Sequence, residues 1–330
     1  MRSAVSSGVE RIAVLTSGGD APGMNAAVRA VVRRASNLGI EVFGVRDGYR
    51  GLIFGNLTAF SANDVGNIIQ RGGTILGTSR CPEMHNESGR AQAAAALKDR
   101  GIKALVVVGG DGSFRGADAL SKEHQLLVVG LPGTIDNDIP GTDYTIGFDT
   151  AVNTAMDAID RLRDTAESHQ RLFFVEVMGR TAGHIAAHVA IAGGAEYVLV
   201  PETETHLDEL AENLRHGIER GRRSTMVIVA EGDDAGGAVA IAKRVQEATG
   251  FDSRVTVLGH IQRGGRPTSF DRVLATRLGA HAVEALAGGQ SGFALGEQQG
   301  RIVATPFNQV CGGRRGLDLD LIELARDVAG

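Results

Sequence analysis

Short runs of apolar residues alternate along the chain with longer stretches in which apolar and polar residues recur at helical spacing. The short runs are rich in β-branched residues, and their length is that of a buried strand. The pattern predicts strands over residues 11–16, 41–45, 104–109, 126–131, 172–178, 197–200, 225–231 and 255–259.

The amphipathic stretches between the strands include "GMNAAVRAVVRRASNL", "DTAVNTAMDAIDRLRDTA" and "HLDELAENLRHGIERG". Strands that alternate with helices are typical of parallel sheets with helical crossovers. The pattern therefore predicts an α/β protein with two doubly wound, mainly parallel-sheet, Rossmann-like domains. No long polar linker separates the two halves, so we expect them to pack around a cleft that holds the active site.

Unusual residues follow several predicted strands, at the ends where open α/β sheets bind ligands. The segments are "SGGDAPGMN" (17–25), "GGDGSFRG" (109–116), "PGTIDND" (132–138), "MGRTAGH" (178–184), "EGDD" (231–234) and "GHIQRGG" (259–265). A loop such as "GGDG" is also typical of a simple turn, but its place between a strand and a helix favours a phosphate site. None of the segments is a nucleotide loop ending in Gly-Lys-Ser/Thr, and none has the spaced glycines of a dinucleotide site.

The composition narrows the class of protein. The chain has 330 residues, 46 Gly, no Trp and a net charge of -5, which disfavours a general nucleic-acid binder. No apolar run approaches the roughly 18 residues that a membrane-spanning helix needs, so we expect no membrane partner. Two cysteines offer no disulfide framework and fit a reducing cytoplasm. The opening "MRSAVSSG" has no apolar signal core and is predicted to be a frayed tail.

Six motifs occur in a fixed order: "TSGGDAPGMNA", "GGDGS", "PGTIDND", "HQR", "MGR" and "GHIQRGG". Together they resemble the bacterial ATP-dependent 6-phosphofructokinases, and the resemblance extends from about Arg11 to the C-terminal region. The combination of "PGTIDND" and "GHIQRGG" is its most specific part. The resemblance implies that the γ-phosphoryl group of MgATP is transferred to the 1-hydroxyl of fructose 6-phosphate, a reaction of glycolysis in the cytoplasm.

Phosphoryl transfer requires an oriented hydroxyl, a proton acceptor, a divalent ion and cations that neutralise charge. The resemblance implies that Asp136 is the catalytic base, supported by Asp138 and Thr134, and that Arg180 stabilises charge during transfer. These acids could instead cap the helix that begins near residue 148, although a cap needs only one Asp or Asn. Asp143 suits that capping or turn role, and we assign it no catalytic one.

The implied nucleotide site lies in the first half of the chain. Asp111 corresponds to the acid beside Mg²⁺, which acts directly or through water, and Arg80 is suited to bridging phosphates. Cys81 is expected to be a packing or backbone contact, and Tyr49 is expected to border the adenosine. The other implied nucleotide contacts are Gly19, Gly110, Gly112, Ser113 and Gly116.

The implied sugar-phosphate site takes most of its residues from the second half. They are Thr134, Ile135, Asp136, Arg171, Met178, Gly179, Arg180, Glu231, Arg254, His260, Ile261, Gln262 and Arg263. Outside these motifs, an Arg would be expected to be a solvated surface charge, and His260 a core imidazole. The resemblance places Arg171 and Arg254 across a subunit boundary from the rest, so we expect a homotetramer with shared active sites.

The resemblance also gives expected domain boundaries. A larger ATP-binding domain would comprise residues 1–146 and 259–309, and a smaller fructose 6-phosphate domain would comprise residues 147–258 and 310–330.

Other activities remain open. Pyrophosphate-dependent relatives typically carry Asp at the position of Gly112 and Lys at that of Gly133, where larger side chains would fill the space of a nucleoside, so the glycines favour ATP. "GGDG" also occurs in NAD kinases and lipid kinases, but "TIDND" and "GHIQRGG" argue against them. An inactive sugar-phosphate sensor is disfavoured by the intact Asp136 and Arg180.

A histidine pair offers a different metal hypothesis. His184 and His188 are four residues apart and would share a helix face, as zinc ligands can. No Glu follows His184 and no third ligand is evident, so a zinc site is not favoured.

The last implied feature is an effector site between subunits for ADP or phosphoenolpyruvate. Its residues would be Arg29, Arg33, Arg163, Glu196, Arg220, Arg222 and Arg223. Any one of these cations alone would be a solvated helix-face charge, but their joint correspondence favours an anion site. Two family positions differ, since an Arg is Ala62 and a His is Ser224 here. We therefore hypothesise that effectors bind with weakened or altered coupling.

Overall fold

The structure is a computed structural model that describes residues 8–169, 172–222 and 224–329, without the side chains of residues 166–169. Arg171 and Arg223, which the family resemblance assigns to the sugar-phosphate and effector sites, lie outside the described residues. Residues 1–7, most of the predicted N-terminal tail, also lie outside them.

The secondary structure alternates between strands and helices, as the apolar pattern predicts. The first part contains β1 (Arg11–Thr16), α1 (Met24–Asn37), β2 (Glu41–Val45), α2 (Gly48–Ile53), β3 (Leu57–Phe60), a 3-10 helix (Pro82–His85), α3 (Glu87–Lys98), β4 (Ala104–Gly109), α4 (Asp111–His124) and β5 (Leu127–Pro132). The second part contains α5 (Phe148–His169), β6 (Leu172–Val177), α6 (His184–Ala192), β7 (Tyr197–Leu199), α7 (Leu207–Glu219), β8 (Thr225–Ala230), α8 (Ala238–Thr249), β9 (Ser253–Val257), a 3-10 helix (Gly259–Arg263), α9 (Ser269–Ala287), β10 (Phe293–Gln298), β11 (Arg301–Pro306), α10 (Phe307–Val310) and α11 (Asp320–Val328).

The chain divides into two compact units, and each contains one sheet. The first unit comprises Met1–Ile135, Ile139–Thr150 and Arg263–Arg315, and the second comprises Asp136–Asp138, Ala151–Gln262 and Gly316–Gly330. The short segment Asp136–Asp138 therefore belongs to the second unit although both of its neighbours in sequence belong to the first.

The sheet of the first unit has the strand order β11-β10-β5-β4-β1-β2-β3. Its central strands are parallel, and β4 is buried at all six positions because helices cover both faces of such a sheet. Helix α9 packs closely against α1: a Cβ atom on Gly279 would lie only 2.8 Å from the carbonyl oxygen of Ala27. This close packing holds the middle of α9 against α1.

The two edge strands of this sheet, β3 and β11, are antiparallel to their neighbours, so the sheet is mixed at its edges. The apolar pattern predicts none of β3, β10 and β11. Strand β11 has no buried residue, and β10 and β11 are joined by a two-residue turn in which Gln299 and Gly300 have φ angles of 49° and 76°. Positive φ at both central residues matches the right-handed twist of a hairpin, and Gln is a weak sequence signal for such a turn.

The sheet of the second unit is entirely parallel, with the strand order β7-β8-β6-β9. Strand β8 is buried at every position, whereas β9 lies at the edge and is largely exposed. The register pairs Val177 with Ala230 and Glu176 with Val257. The carboxyl ends of β6, β8 and β9 therefore lie side by side.

None of the described helices is both long enough and apolar enough to cross a membrane.

Candidate active site

The first unit brings three predicted loops together at the carboxyl ends of its central strands. Strands β1, β4 and β5 are parallel neighbours, and Thr16 pairs with Val108 while Gly109 pairs with Pro132. Two hydrogen bonds continue this arrangement beyond the strands, from Ser17 N to Val108 O at 2.9 Å and from Gly133 N to Gly109 O at 3.0 Å. The loops that follow these strands therefore begin side by side.

The loop after β4 leads directly into the first turn of α4. A Cβ atom on Gly110 or on Gly112 would have no neighbour within 4 Å, so the backbone faces open space there. The N–H groups of a first helical turn have no partners within the helix, and the positive end of the helix dipole attracts anions. This turn has the geometry that phosphate groups require.

Asp111, the first residue of α4, is the acid predicted to lie beside Mg²⁺. Its Oδ1 accepts a hydrogen bond from Gly312 N at 2.9 Å, and its Oδ2 lies 2.9 Å from Arg115 Nη2. A carboxylate oxygen can accept two hydrogen bonds, so each keeps capacity for a metal-bound water. No cluster of three metal-ligating side chains occurs in the described part of the chain. These residues fit a Mg²⁺ that is held largely by nucleotide phosphates and water.

Tyr49 lies under the first turn of α4. Its side chain is buried, its hydroxyl donates to Ser113 O at 2.6 Å, and its ring would be 3.2 Å from a Cβ atom on Gly116. Burial, together with the neighbouring thiols of Cys311 and Cys81, raises the pKa of Tyr49 above its usual value, so the hydroxyl remains a donor. Tyr49 thus supports the turn, and its contact with adenosine stays a prediction.

Arg80 and Cys81 lie on the segment between β3 and α3. Arg80 is exposed, whereas the half-buried Cys81 packs against the core of the first unit and donates to Glu83 Oε2 at 3.3 Å. Burial raises the pKa of the Cys81 thiol. Thr78 Oγ1 donates to Gly18 O at 2.7 Å, so this segment is tied to the loop after β1.

Gly19 and Arg263, predicted for the nucleotide and the sugar phosphate respectively, lie in contact. A Cβ atom on Gly19 would overlap the Arg263 guanidinium, and Arg263 Nη1 donates to Asp20 O at 3.2 Å. Arg263 is only 9% exposed, and its charge lies against the loop after β1. Only glycine allows this approach at position 19.

The loop after β5 is held by the segment that precedes α5. Thr134 N donates to Ile146 O at 3.1 Å, Ile146 N donates to Pro132 O at 2.8 Å, and Thr145 Oγ1 donates to Thr134 O at 2.6 Å. Both backbone polar groups of Thr134 are therefore engaged. Ile135, which comes next, is fully buried and anchors the chain immediately before Asp136.

Three predicted residues meet in the second unit. Asp136 Oδ2 lies 3.6 Å from Arg180 Nε, and Arg180 N donates to Glu231 Oε1 at 2.7 Å. The Asp136 side chain is 6% exposed, whereas the Arg180 side chain is 63% exposed. Arg180 and Asn137 both have left-handed backbones, with φ angles of 55° and 54°. Non-glycine residues seldom adopt this conformation, and such strain is concentrated at functional sites.

The neighbouring motif residues differ in exposure. Gln262 is fully buried, its Oε1 accepts from Met178 N at 2.8 Å, and its Nε2 donates to Ala151 O at 3.3 Å. Both ends of the amide are therefore hydrogen-bonded within the protein and hold the end of β6, and the contact of Gln262 with the sugar phosphate stays a prediction. His260 and Ile261 are exposed. Asp138 is half-buried beside Asn137.

Gly179, between Met178 and Arg180, has a φ angle of 144°, and a Cβ atom there would overlap Ala182 O. A side chain at this position would displace the Arg180 backbone, so glycine is required.

Arg254 lies at the amino-terminal end of β9, whereas Asp136, Arg180 and Glu231 meet near the carboxyl ends of the strands of the second unit. It pairs with Phe173 in the β6–β9 register, five residues before Met178. At about 3.3 Å per residue, its Cα lies roughly 16 Å along the strand from Met178, the residue that follows β6. Its exposed guanidinium pairs with Asp252 Oδ1 at 2.7 Å. The structure therefore does not bring Arg254 together with Asp136 and Arg180 within the chain.

The predicted effector residues fall into separate groups. Arg163 donates from Nε to Gly193 O at 2.6 Å and from Nη2 to Gly194 O, and its Nη1 lies 3.8 Å from Glu196 Oε1. On α1, burial and the nearby Arg33 charge lower the pKa of Arg29.

Two further effector candidates follow α7. Arg220 is exposed just after the helix, and Arg222 is half-buried close to Gly217.

The histidine pair lies on α6. His184 is buried at the first helical position, and His188 Nδ1 is 2.9 Å from His184 O. One imidazole nitrogen of His188 is thus used within the helix.

A cavity of about 640 Å³ lies at the amino-terminal ends of β4 and β5, where Lys103 and Leu127 line it. Its other basic side chains, Lys98 and His124, end α3 and α4, where cations complement the helix dipole. The predicted site residues do not line this cavity.

Asp271, in the first turn of α9, is a buried acid that the motif analysis did not select. Its carboxylate accepts three hydrogen bonds from Gly147 and Thr150. The sequence does carry a local signal here, because Thr268 and Asp271 form the Ser/Thr-x-x-Asp/Glu pattern of a helix start. That pattern predicts where α9 begins, but it does not show that the carboxylate reaches α5.

The chain is similar to known phosphofructokinases along nearly its whole length. The phosphofructokinase family model matches residues 11–286. The ATP-dependent 6-phosphofructokinase 1 of Thermus thermophilus is 56% identical over 321 residues, which cover 97% of this chain and 100% of that protein. The ATP-dependent 6-phosphofructokinase of Bacillus cytotoxicus is 51% identical, also over 97% of this chain and 100% of the relative.

A solved structure of a phosphofructokinase also matches the fold of this chain. The crystal structure of Pichia pastoris phosphofructokinase matches with a TM-score of 0.86 and 41% identity, covering 91% of this chain and 35% of that longer chain. The protein described here thus spans about a third of the Pichia chain. Because the family model covers most of the chain and full-length relatives exceed 50% identity, the chain belongs to the phosphofructokinase family.

Proposed function

We propose that this chain is an ATP-dependent 6-phosphofructokinase, which transfers the γ-phosphoryl group of MgATP to the 1-hydroxyl of fructose 6-phosphate and releases fructose 1,6-bisphosphate and ADP in glycolysis. The observation that carries this proposal is the grouping of Asp136, Arg180 and Glu231 in the second unit. The names of the full-length relatives support both the reaction and the use of ATP.

Asp136 acts as the general base. As the sugar hydroxyl oxygen bonds to the γ-phosphorus, its proton passes to the Asp136 carboxylate, and the bond from the γ-phosphorus to the bridging oxygen breaks. ADP leaves with that electron pair. The side chain of Asp136 is only 6% exposed, so few water molecules compete with the sugar hydroxyl. Asp138 and Thr134 support the orientation of Asp136, which lies between them in sequence.

Arg180 stabilises the charge of the transferring group. Its guanidinium is largely exposed and only loosely paired with Asp136 at 3.6 Å. Because this guanidinium is exposed and 3.6 Å from Asp136, it can turn toward a phosphoryl oxygen. Glu231 holds the Arg180 backbone through the hydrogen bond to its N–H group.

The nucleotide site is built around the first turn of α4. Asp111 would hold Mg²⁺ through water, and the bound ion would neutralise charge on the β- and γ-phosphates. Gly110, Gly112 and the exposed Arg80 would contact the phosphates, and Gly19 and Ser113 would line the approach. Open space at Gly112 supports ATP over pyrophosphate, because an Asp side chain there would occupy it.

Gly133 differs from Gly112 in the space around it. A Cβ atom at Gly133 would lie 2.9 Å from Val108 Cγ1 and 3.1 Å from Met24 Cε, so packing alone requires a glycine there. The preference for ATP therefore rests on Gly112.

The sugar-phosphate site would be completed by a second subunit. Arg254 is roughly 16 Å along the strand from Met178, and an Arg side chain spans less than half of that distance. Arg254 therefore serves the active site of a neighbouring subunit, together with Arg171, in a homotetramer. The other contacts of the sugar phosphate are Met178, Gly179, His260, Ile261 and Arg263.

Regulation and location are part of the same proposal. ADP or phosphoenolpyruvate would bind the cationic effector residues, with Glu196 beside Arg163. Both cysteines are free thiols, which supports a reducing cytoplasm.

A coupled assay for ADP release tests the proposed reaction. The wild-type protein should release ADP only when fructose 6-phosphate is present, and pyrophosphate should not replace ATP. Asp136→Asn should lower kcat by about 10³-fold, since the amide keeps the shape but cannot accept the proton. Asp143→Asn, in the same loop, is the matched control and should remain active. A loss of less than tenfold in Asp136→Asn would show that Asp136 is not the base.

A further inference from the structure

Asp271 is a fully buried carboxylate that joins α9 to the first turn of α5. Its Oδ1 accepts a hydrogen bond from Gly147 N at 2.8 Å. Its Oδ2 accepts from Thr150 N at 2.8 Å and from Thr150 Oγ1 at 2.5 Å. Asp271 is thus on α9, but it caps the first turn of α5.

Helix α5 needs this cap from outside its own sequence. Gly147 precedes the helix, has no side chain that could cap it, and has a φ angle of 106°. A Cβ atom there would lie 2.7 Å from Ala21 Cβ, so the close packing of the loop after β1 keeps this position a glycine. The cap is therefore supplied by a residue more than a hundred positions away.

The capped segment is the same one that holds the loop after β5. Residues 145–147 lead directly into α5, and Ile146 is bonded to both Pro132 and Thr134. Thr145 Oγ1 donates to Thr134 O. Hydrogen bonds thus run from the Asp271 carboxylate, through residues 145–147, to Thr134, which lies two residues before Asp136 in sequence.

The loop after β1 packs against the same point. A Cβ atom on Gly23 would lie 2.7 Å from Ile146 Cγ2 and 3.5 Å from Asp271 Cβ. The segment before α5 therefore has little room to move toward α1, and the three donors that converge on Asp271 fix it from the other side.

A carboxylate is the group that suits this arrangement. All three partners donate, and an ionised Asp accepts on both oxygens. An Asn at the same place would direct an NH₂ group at one of the donors, leaving that donor unpaired in a buried site. Burial raises the pKa of Asp271 to about 6, partly offset by the hydrogen bonds from Thr150 and Gly147, so the group is ionised at neutral pH.

We propose that Asp271 is a positioning residue for phosphoryl transfer, which holds residues 145–150 so that Thr134 and the adjoining Asp136 keep their catalytic orientation. The proposal rests on the proposed function. It predicts an effect on turnover that exceeds any effect on substrate binding, because orientation of the base matters most in the transition state.

The test compares Asp271→Asn with Leu278→Ala in the tetrameric enzyme. Leu278 is buried on the same helix, two turns from Asp271, and its truncation destabilises α9 packing without altering the cap of α5. Asp271→Asn should lower kcat by about tenfold to a hundredfold and change the KM values for ATP and fructose 6-phosphate by less than threefold. Leu278→Ala should keep wild-type kcat at a temperature where both variants are folded.

Thr150 provides a second pair of variants if Asp271→Asn fails to fold. Thr150→Val removes the hydroxyl that donates to Asp271, and Thr150→Ser retains it. Thr150→Val should lower kcat by about threefold to tenfold, and Thr150→Ser should keep a kcat close to that of the wild type. Equal kcat values in Thr150→Val and Thr150→Ser, or an unchanged kcat in Asp271→Asn, would overturn the positioning role. An inactive wild-type protein would instead overturn the proposed function.

Discussion

Active-site sharing between subunits can be tested by mixing two variants that are each impaired. Asp136→Asn lacks the proposed base, and Arg254→Ala lacks a cation that lies roughly 16 Å along the strand from Met178 in its own chain. If Arg254 serves a neighbouring subunit, a mixed tetramer can assemble an intact site from Asp136 of one variant and Arg254 of the other. Neither variant alone contains such a site.

The expected recovery follows from counting these sites. Arg254→Ala removes one charged contact to phosphate, a loss of about 1.5–3 kcal/mol, which raises the KM for fructose 6-phosphate about 10- to 150-fold. With random assembly of equal amounts, half of the interacting pairs are mixed and one site of each mixed pair is intact. The mixture should therefore recover about one quarter of wild-type activity at a fructose 6-phosphate concentration near the wild-type KM.

The two variants should be co-expressed with different affinity tags, purified through both tags and assayed for ADP release. The matched control combines Asp136→Asn with Arg180→Ala, because Asp136 and Arg180 meet within one chain and no mixture can restore them. Activity no higher than the mean of the two parent enzymes would refute sharing through Arg254. Recovery in the control pair would refute the assignment of Asp136 and Arg180 to one subunit.

Three further predictions concern the donor, pH and regulation. Gly112→Asp should fold normally, since a Cβ atom there meets nothing within 4 Å, but should raise the KM for ATP at least tenfold by placing a carboxylate near phosphate; an unchanged KM would remove Gly112 from the site. Because the pKa of Asp271 is raised to about 6, the folded state binds the extra proton, so the unfolding free energy of the wild type relative to Asp271→Asn should fall by up to about 3 kcal/mol between pH 4 and pH 7. Chemical denaturation at several pH values measures this, and a flat difference would contradict it. ADP and phosphoenolpyruvate should shift the half-saturation for fructose 6-phosphate less than in a relative with Arg and His in place of Ala62 and Ser224; equal shifts would show that these substitutions do not weaken coupling.

The sequence predicts the buried strands of the fold much better than the edge strands. All eight predicted strands are present within two residues of their expected bounds, because buried parallel strands are continuous apolar runs. Strands β3 and β11 lie at sheet edges and are partly exposed, so they lack such a run. The turn between β10 and β11 places Gln299 at positive φ, where Asn or Gly would have been a stronger signal.

The sequence also identifies site motifs better than it identifies the direction of each side chain. Gln262 lies in the "GHIQRGG" segment and Tyr49 lies outside the quoted motifs, and both are buried and use their polar groups to hold the backbone. Motif membership places a residue near the site, but burial and hydrogen bonding decide whether it faces the ligand. The roles of the remaining motif residues stay predictions that the assays above address.

Asp271 shows why some important contacts escape a sequence pattern. Its local pattern predicts only the start of α9, whereas the residues that donate hydrogen bonds to its carboxylate, Thr150 and Gly147, lie 121 and 124 positions away in sequence. Burial of this charge reduces the unfolding free energy at neutral pH by up to about 3 kcal/mol, judged from a pKa of about 6. If the carboxylate served stability alone, its role would be to satisfy the N–H groups of Gly147 and Thr150, which an apolar residue would leave unpaired. The carboxylate is better explained by the geometry it imposes on the segment before α5, and the kcat of Asp271→Asn relative to Leu278→Ala separates these two explanations.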